Sequence, residues 1–445
     1  MIYPSLGLCL AISSLSIQSV CNQNIASNII KKNTRVSIIM LSCLKITLLS
    51  SSLVSIFILF SFPIYKYIYN DSVIYYPLLL CIPLLFFSNT SGVMKGYLEA
   101  NNEFNIYYLS NVIESIVKMA LTITLLIILK NHSINLQVLM VFLSLTLSEF
   151  SSCIYLSFKI KKRGRPRWIK TNSFEINILK QAIPLTLSSL IQTVSSYITP
   201  FLLFFVCQKN GISYLESSTY YTLVVSYAIP LLTHGEFGVL SIARLAFPSI
   251  TKKANTNEEK ELLNILFFIA IPVTIVCFSI CEYQGDTFLY LMYGHTLGGE
   301  IVKKLAFVYL IIYFDPLLAY ILQAHKKEKE ILIITIIKEL ITILAIYLLV
   351  NNIGVTGYIY GLAIGSLSKT IISLIISLKL TKFKLKYFSF ILLSLLSLAY
   401  IYFAQKYSSI ILFFTTASIY SLLALLIFYF FYSNTLKHHF DMMHT

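Results

Sequence analysis

The sequence has little charge. Only 12% of its 445 residues are charged, whereas 57% are hydrophobic and the mean hydropathy is +0.79. A soluble globular domain has roughly 25% charged residues, so this composition excludes one and indicates a polytopic membrane protein. The eight cysteines are scattered through apolar runs without CxxC pairs. They are therefore predicted to be small core residues, and no metal site or cofactor is expected.

The chain also lacks the motifs of an enzyme. It has no GxxxxGK[ST] phosphate loop for ATP, and no Ser, His and acid set on a water-facing scaffold. A membrane glycosyltransferase is the enzyme alternative, but its catalytic acids would need a large polar loop. The longest predicted outer loop, about Glu282 to Lys304, is too short. We therefore expect that the protein is not an enzyme.

The sequence instead contains long apolar stretches. Thirteen of them can cross a hydrocarbon core of about 30 Å. They lie near 3–20, 37–62, 73–94, 106–129, 136–158, 182–206, 218–243, 262–281, 305–323, 330–350, 354–378, 387–404 and 409–432. Open sheet edges are not tolerated in lipid, and barrel strands would be half this length. The predicted fold is therefore an all-α polytopic membrane protein with about 13 transmembrane helices.

The basic residues predict an orientation. Alternate connections hold 24 of the 34 Lys and Arg, the other connections hold six, and four lie inside spans. The positive-inside rule then places the N-terminus outside and the C-terminus in the cytoplasm. Anionic membrane lipid explains the net charge of +15, so no nucleic acid partner is required.

Two pairs of similar segments indicate an internal repeat. Gly96–Leu129 and Tyr320–Val350 share a polar elbow followed by a long apolar helix at an offset of 224 residues, and Ser27–Lys32 resembles Pro248–Lys253 at an offset of 221. In each pair the two segments are six spans apart, so the predicted unit is a lobe of six helices. The partner of the span at 182–206 would precede Met1. The first lobe is thus expected to lack its opening helix, which upstream in-frame DNA would encode if the start lies earlier.

This repeat divides the chain into four parts. The predicted parts are an N-terminal lobe of five helices (1–158), a basic amphipathic cytoplasmic linker (159–181), a C-terminal lobe of six helices (182–380), and two additional helices with a cytoplasmic tail (381–445). The linker contains the single tryptophan, Trp168. It is predicted to lie on the membrane surface, with a patch that gathers phosphate as the alternative.

The elbow KGYLEANNEFN with SNVIESIVK resembles a segment of the polysaccharide-export branch of the multidrug, oligosaccharidyl-lipid and polysaccharide (MOP) flippase superfamily, and is most similar to the stage V sporulation protein B type. Further resemblances are AIPLTLSSLI at Ala182, FPSITKK at Phe247, YILQAHKKEK at Tyr320 and GVTGYIYGLAIG at Gly354. Lys95 stands where the family usually has Arg. The family's first helix and the Pro after the first elbow are absent.

The resemblance implies a V-shaped bundle of two lobes that flips a lipid-linked oligosaccharide or polysaccharide precursor by alternating access in the cytoplasmic membrane. The two C-terminal helices would line a groove for the lipid tail. Related lipid II flippases carry an Asp-Arg pair after a Tyr-Ala, but Tyr227-Ala228 is followed here by Ile229-Pro230, which makes lipid II itself a less secure substrate. A cation-coupled drug antiporter of the same superfamily stays open as the alternative.

Charges inside spans are costly and should mark the transport path. The candidate substrate-binding residues are Lys118, Glu114, Lys338, Lys45, Lys369 and Arg244. Lys118 is the deepest, and Glu114 is placed one turn before it to pair with it. Snorkelling to the membrane surface explains Lys45, Lys338 and Lys369 equally well.

Carboxylates within spans are candidates for binding a coupling cation or proton. The residues chosen are Glu149, Glu236 and Asp315, with Glu339 and His234 also considered, and a purely structural role is open for each. Gly235 and Gly238 beside Glu236 predict a helix bend that helps gating. The saccharide, the coupling ion and the oligomeric state are not determined by the sequence.

Overall fold

The computed structural model describes residues 2–30, 36–60, 75–161, 172–384, 386–406 and 409–444. Its α-helices are α1 Ile2–Ser14, α2 Ile17–Ile30, α3 Val36–Phe60, α4 Tyr75–Ala100, α5 Phe104–Ile128, α6 Ile134–Lys161, α7 Asn172–Lys209, α8 Tyr214–Leu223, α9 Ile229–Leu232, α10 His234–Lys253, α11 Asn257–Tyr283, α12 Gly285–Tyr293, α13 Gly299–Ile312, α14 Asp315–Ala324, α15 Glu328–Ile353, α16 Gly357–Thr381, α17 Tyr387–Lys406 and α18 Ile410–His444. No strand occurs in these residues.

The helices confirm the predicted fold class. Among the described residues, ten segments are long and apolar enough to cross a membrane, or eleven if the bent pair Tyr214–Leu232 and His234–Lys253 counts as one span. One of the ten, Glu328–Thr381, contains both α15 and α16. Each of the thirteen predicted spans overlaps at least one of these helices. The chain is therefore an all-α, multi-pass membrane protein.

The chain forms two compact units, which we call unit 1 (Met1–Tyr197) and unit 2 (Ile198–Thr445). In unit 1, α4 packs against α2, α3 and α6, and α5 packs mainly on α6. In unit 2, α15 packs along α16, and α10 packs against α11 and α14. Residues 162–171 of the predicted basic linker lie outside the described residues, so the predicted lobe boundaries stay a prediction.

The two elbows of the sequence repeat have the same backbone turn. In the first, the amides of Asn102 and Glu103 donate to the carbonyls of Glu99 (3.0 Å) and Leu98 (2.9 Å). The same pair of bonds recurs 224 residues later, at 2.8 and 3.0 Å, and Asn102 and Lys326 both have a φ of 60°. This is the left-handed turn that closes a helix C-terminus. The two weakly similar segments therefore encode the same local structure.

The glycines that the family resemblance singled out bring α15 and α16 together. Gly357, Gly361 and Gly365 follow one another at four-residue spacing on α16. A Cβ on Gly361 would lie 2.5 Å from the Ile346 side chain, and one on Gly365 would lie 1.8 Å from the hydroxyl of Thr342. Small residues at this spacing allow two helix backbones to approach closely in a membrane.

Connections in unit 2 gather at two opposite ends. At one end, buried His325 lies 2.5 Å from a carboxylate oxygen of buried Glu259, which joins the α14–α15 elbow to the start of α11. At the other end, Asn210 donates to Asn351 over 3.1 Å, which joins the end of α7 to the end of α15. These groups belong to connections that the span count assigns to opposite membrane faces. The predicted alternation of connections therefore agrees with the structure of this unit.

Candidate functional site

The span that contains α8, α9 and α10 is broken. A π-helical turn at Val224–Ala228 precedes Pro230, and the axis bends by 44° at Thr233. Proline removes one helical hydrogen bond and a π turn displaces another, so both weaken the ladder at this place. Glu236 follows as the third residue of α10. The bend thus lies beside the glycines that predicted it.

A second helix is interrupted without a sharp bend: Gly299–Ala324 counts as one span, but a turn at Tyr313 and Phe314 separates α13 from α14. Asp315 is the first residue of α14, where the positive end of the helix dipole favours a carboxylate. The two breaks adjoin each other, because a Cβ on Gly235 would lie 2.7 Å from the ring of Tyr313. Each of the two helices that follow has an acidic residue in its first turn, Glu236 in α10 and Asp315 in α14.

Five charged side chains of unit 2 interact electrostatically around these breaks. They come from four helices and are Glu236 on α10, Asp315 on α14, Lys338 and Glu339 on α15, and Lys369 on α16. We call them the unit 2 cluster. Four of them were predicted from sequence for two different roles, and the structure brings these four together. Glu339 was considered at the sequence level but not chosen, although it directly follows Lys338.

Two ion pairs hold the unit 2 cluster together. The Lys369 ammonium lies 2.7 Å from Asp315 Oδ2, and the Lys338 ammonium lies 2.6 Å from Glu339 Oε1. The second oxygen of Asp315 is buried and has no hydrogen-bond partner in the part of the chain that the structure describes. Three carboxylates face two ammonium groups, so one carboxylate is in excess. An excess carboxylate in a low-dielectric site can bind a proton or a cation.

Unit 1 contains a comparable cluster on α4, α5 and α6. Lys95 lies 2.8 Å from Glu114 Oε2. Glu149 accepts a hydrogen bond of 3.0 Å from Ser91 and interacts electrostatically with both of the other charges. We call Lys95, Glu114 and Glu149 the unit 1 cluster. It also has one more carboxylate than ammonium groups.

The expected pairing of Glu114 with Lys118 is wrong, because Glu114 pairs with Lys95 on the neighbouring helix. Lys95 was assigned to a cytoplasmic connection, but α4 continues to Ala100 and the residue is only 8% exposed. The carboxylate of Glu114 compensates its charge, which allows the helix to continue past it. Lys118 is exposed and makes no ion pair within the described ranges.

The remaining predicted residues have other partners. Lys45 lies 3.4 Å from Glu175 of α7 in unit 1. Arg244 of α10 donates a hydrogen bond of 3.5 Å to the hydroxyl of Tyr320. Of the predicted substrate-binding residues, Glu114 belongs to the unit 1 cluster, and Lys338 and Lys369 belong to the unit 2 cluster.

Ionisable residues follow the repeat only in part. Glu114 and Lys338 are related by the offset of 224 residues that relates the two elbows. Lys95 and Asp315, and likewise Glu149 and Lys369, are 220 residues apart, about one helical turn short of that offset. Each unit closes its own ion pairs.

Comparisons with known proteins agree with the sequence resemblance. No family model matches the chain. Stage V sporulation protein B of Bacillus subtilis (strain 168) is 23% identical over 313 residues, which cover 67% of this chain and 60% of that protein. The match therefore spans less than two thirds of the length of this relative.

Solved structures have a similar fold. A multidrug resistance MATE family transporter of the MOP superfamily, in an outward-facing conformation, matches with a TM-score of 0.69 and 16% identity over 84% of this chain and 85% of the other. The MATE transporter ClbM in complex with Rb⁺ matches with a TM-score of 0.64 and 14% identity over 85% of each chain. The chain is therefore similar in sequence to stage V sporulation protein B and similar in fold to MATE transporters, as the sequence resemblance predicted.

Proposed function

Because the chain has the fold and the sequence resemblance of MOP flippases, we propose that it is a membrane transporter rather than an enzyme. The unit 2 cluster is the observation that carries this proposal. Interrupted helices leave backbone groups without helical hydrogen bonds and place ionisable side chains within the membrane. Burying such side chains there costs free energy, and in membrane proteins they commonly belong to a transport path. The excess carboxylate makes Glu236 and Asp315 the candidate binding groups for a coupling cation or proton, and the Rb⁺ complex of ClbM supports a cation.

The proposed substrate is a lipid-linked oligosaccharide or polysaccharide precursor that is moved across the cytoplasmic membrane by alternating access. The similarity to stage V sporulation protein B supports this class. Two apolar grooves on the C-terminal helices give it physical support: one of about 350 Å³ between α11 and α18, and one of about 300 Å³ between α17 and α18. Grooves of this kind suit the hydrocarbon tail of a lipid carrier. The N-terminus is proposed to lie outside and the C-terminus in the cytoplasm.

A cation-coupled drug antiporter is the second candidate, since a solved structure of this fold is titled a multidrug resistance transporter. It needs no lipid-tail groove. The two candidates differ in their substrate, so one assay can separate them.

The test reconstitutes the purified chain in proteoliposomes and measures flipping of a fluorescent undecaprenyl-pyrophosphate saccharide and uptake of ethidium, each with a Na⁺ or a proton gradient. We expect flipping of the saccharide that depends on one of the gradients. Asp315→Asn should abolish this dependence, because the amide cannot bind a proton or compensate a cation. Glu258→Gln, on the exposed first turn of α11, is the matched control. Ethidium uptake without saccharide flipping would establish the antiporter instead.

A further inference from the structure

A cavity of about 600 Å³ opens at one end of unit 2. It lies at the end where Asn210 meets Asn351, which the positive-inside rule assigns to the outside. Its walls come from α8, α12, α13 and the start of α16. A cavity of this size can hold a small polar ligand, because ligand sites typically measure about 300–1,000 Å³. It is separate from the unit 2 cluster, whose residues do not line it.

The charges at this cavity are balanced. Lys303 lies 2.5 Å from Asp286 Oδ2, and Lys304 lies 3.5 Å from Glu300 Oε2. Asp286 and Glu300 line the cavity together with Lys304. A phosphate would require ammonium groups that are not already paired, and a bare cation would require an excess of carboxylates. The balance therefore favours a neutral ligand with many hydroxyl groups, which can share hydrogen bonds with both kinds of charge.

A glycine turn keeps one carboxylate at the wall. Gly298 has a φ of 93°, a conformation that suits glycine. A Cβ on Gly299 would lie 1.7 Å from Asp286 Oδ1, so any larger residue would displace this carboxylate. The two glycines are therefore explained by this turn and by the position of the Asp286 carboxylate. Packing of the helices alone would not require them.

Two tyrosines supply aromatic surface to the same cavity. Tyr220 of α8 and Tyr360 of α16 are both half-buried at its wall. Their phenol groups interact electrostatically, so they are neighbours. Thr296 and Thr356 also line the cavity. Aromatic rings beside carboxylates and hydroxyls suit a pyranose, whose C–H face packs on a ring while its hydroxyls form hydrogen bonds.

We propose that this cavity binds one or two sugar residues of a neutral saccharide at the outer end of unit 2. The proposal rests on the proposed function, since the sugar would be the head group of the transported precursor after it reaches the outside. Tyr220 and Tyr360 pack on the ring, while Asp286 and Glu300 accept hydrogen bonds from its hydroxyls. The site acts on the released side and is distinct from the coupling-ion groups.

The test measures binding to the purified full chain in detergent by isothermal titration calorimetry and thermal shift. The probes are N-acetylglucosamine, chitobiose and glucose, with pyrophosphate and Mg²⁺ as charged alternatives. We expect saturable binding of at least one sugar, and Tyr360→Ala or Tyr220→Ala should weaken it about tenfold or more, a loss of about 1.4 kcal/mol. Tyr290→Ala is the matched control, because Tyr290 lies on α12 at 60% exposure and does not line the cavity.

Three results would overturn the site: no sugar binding at millimolar concentration, equal binding by the tyrosine variants and the control, or binding of pyrophosphate or Mg²⁺ in place of sugar. If Tyr360→Ala does not elute as a folded protein in gel filtration, Tyr360→Leu tests the same contact, because it removes the aromatic ring but keeps a bulky apolar side chain, and it should weaken sugar binding in the same direction. Sugar binding without any transport would leave the site standing and remove the proposed function. Transport by the wild type without sugar binding would do the reverse.

Discussion

Four of the five lysines at or near predicted sites within the helices are paired. Lys45, Lys95, Lys338 and Lys369 each lie within 3.4 Å of a carboxylate oxygen. A paired lysine is less available to a substrate phosphate than a free one, because its partner already occupies the ammonium. Of the lysines predicted within spans, Lys118 thus differs from the rest, since it forms no ion pair with any described residue.

Lys118 is therefore the lysine that we expect a substrate phosphate to contact. It lies roughly 21 Å along the axis from the start of α5, which is deep for a charge that faces lipid. Lys118→Ala should lower flipping of the lipid-linked saccharide by about tenfold or more, a change of about 1.4 kcal/mol, with the amount of folded protein unchanged. Lys118→Arg should retain part of the activity, since the positive charge persists.

Lys130→Ala, in the exposed turn that follows the same helix, is the control for this experiment and should transport normally. Equal flipping by Lys118→Ala and the wild type would show that the substrate does not need this ammonium.

The ion pair of Lys369 with Asp315 should stabilise unit 2. Lys369→Ala leaves a carboxylate without compensation; because both side chains of the pair keep about a fifth of their surface exposed, we expect a loss of up to about 3 kcal/mol, the low end of the range for buried pairs. The melting temperature should fall, and Lys369→Ala with Asp315→Asn should recover part of the loss, because the double variant contains no orphaned charge. Thermal unfolding in detergent measures both. Lys253→Ala, at the more exposed pair with Glu258, should change the stability by no more than about 1 kcal/mol. No recovery in the double variant would contradict the coupling.

At the scale of elements, glycines and helix breaks decide where helices meet. The three glycines of α16 lie against α15, and the breaks after Thr233 and Tyr313 bring two half-helices together. Apolar periodicity does not distinguish these contacts, because nearly every face of these helices is apolar. Small residues do distinguish them, since only they permit backbones to approach this closely.

Two glycine-to-alanine substitutions form a matched pair that tests the α15–α16 contact. Both sites are helical, so the intrinsic gain of about 1 kcal/mol is the same. Gly92→Ala should raise the melting temperature, because its Cβ would lie 3.9 Å from the nearest neighbouring atom, in Gln18. Gly361→Ala should lower it, because its Cβ would lie 2.8 Å from the backbone nitrogen of Ile346, and overpacking costs about 1–3 kcal/mol. Equal shifts in thermal unfolding would refute the close approach.

At the scale of the whole molecule, the connections must alternate between the two membrane faces. Unit 2 gathers its connections at two ends as this alternation requires, with Glu259 and His325 at one end and Asn210 and Asn351 at the other. Which end is cytoplasmic depends on the positive-inside rule, because a helix bundle is physically compatible with either orientation.

Cysteine labelling in intact cells tests this orientation. Asn131→Cys and Asn352→Cys should react with a membrane-impermeant maleimide from outside, and Thr256→Cys should react only after the cells are opened. All three positions are exposed. The eight native cysteines are buried or half-buried, so the unsubstituted chain supplies a low background. Outside labelling of Thr256→Cys would reverse the predicted topology.

The sequence by itself determined the class of the protein. Thirteen long apolar stretches must be helical in lipid, because their backbone groups need internal hydrogen bonds there. The elbow at Asn102 recurs at Lys326 because the sequence encodes the same local turn twice. It also identified four of the five residues of the unit 2 cluster, since charges inside apolar runs stand out by their cost. These features are local or compositional, so they can be read without knowing which helices are neighbours.

Only the tertiary structure decided which charges meet. Glu114 pairs with Lys95 of another helix rather than with Lys118 of its own, and Lys369 pairs with Asp315 across 54 residues. The cavity beside Tyr220 and Tyr360 is likewise assembled from four elements that are distant in the sequence. Periodicity gives the spacing of residues along one helix, whereas partners across helices depend on packing, which brings together residues from any distance along the chain.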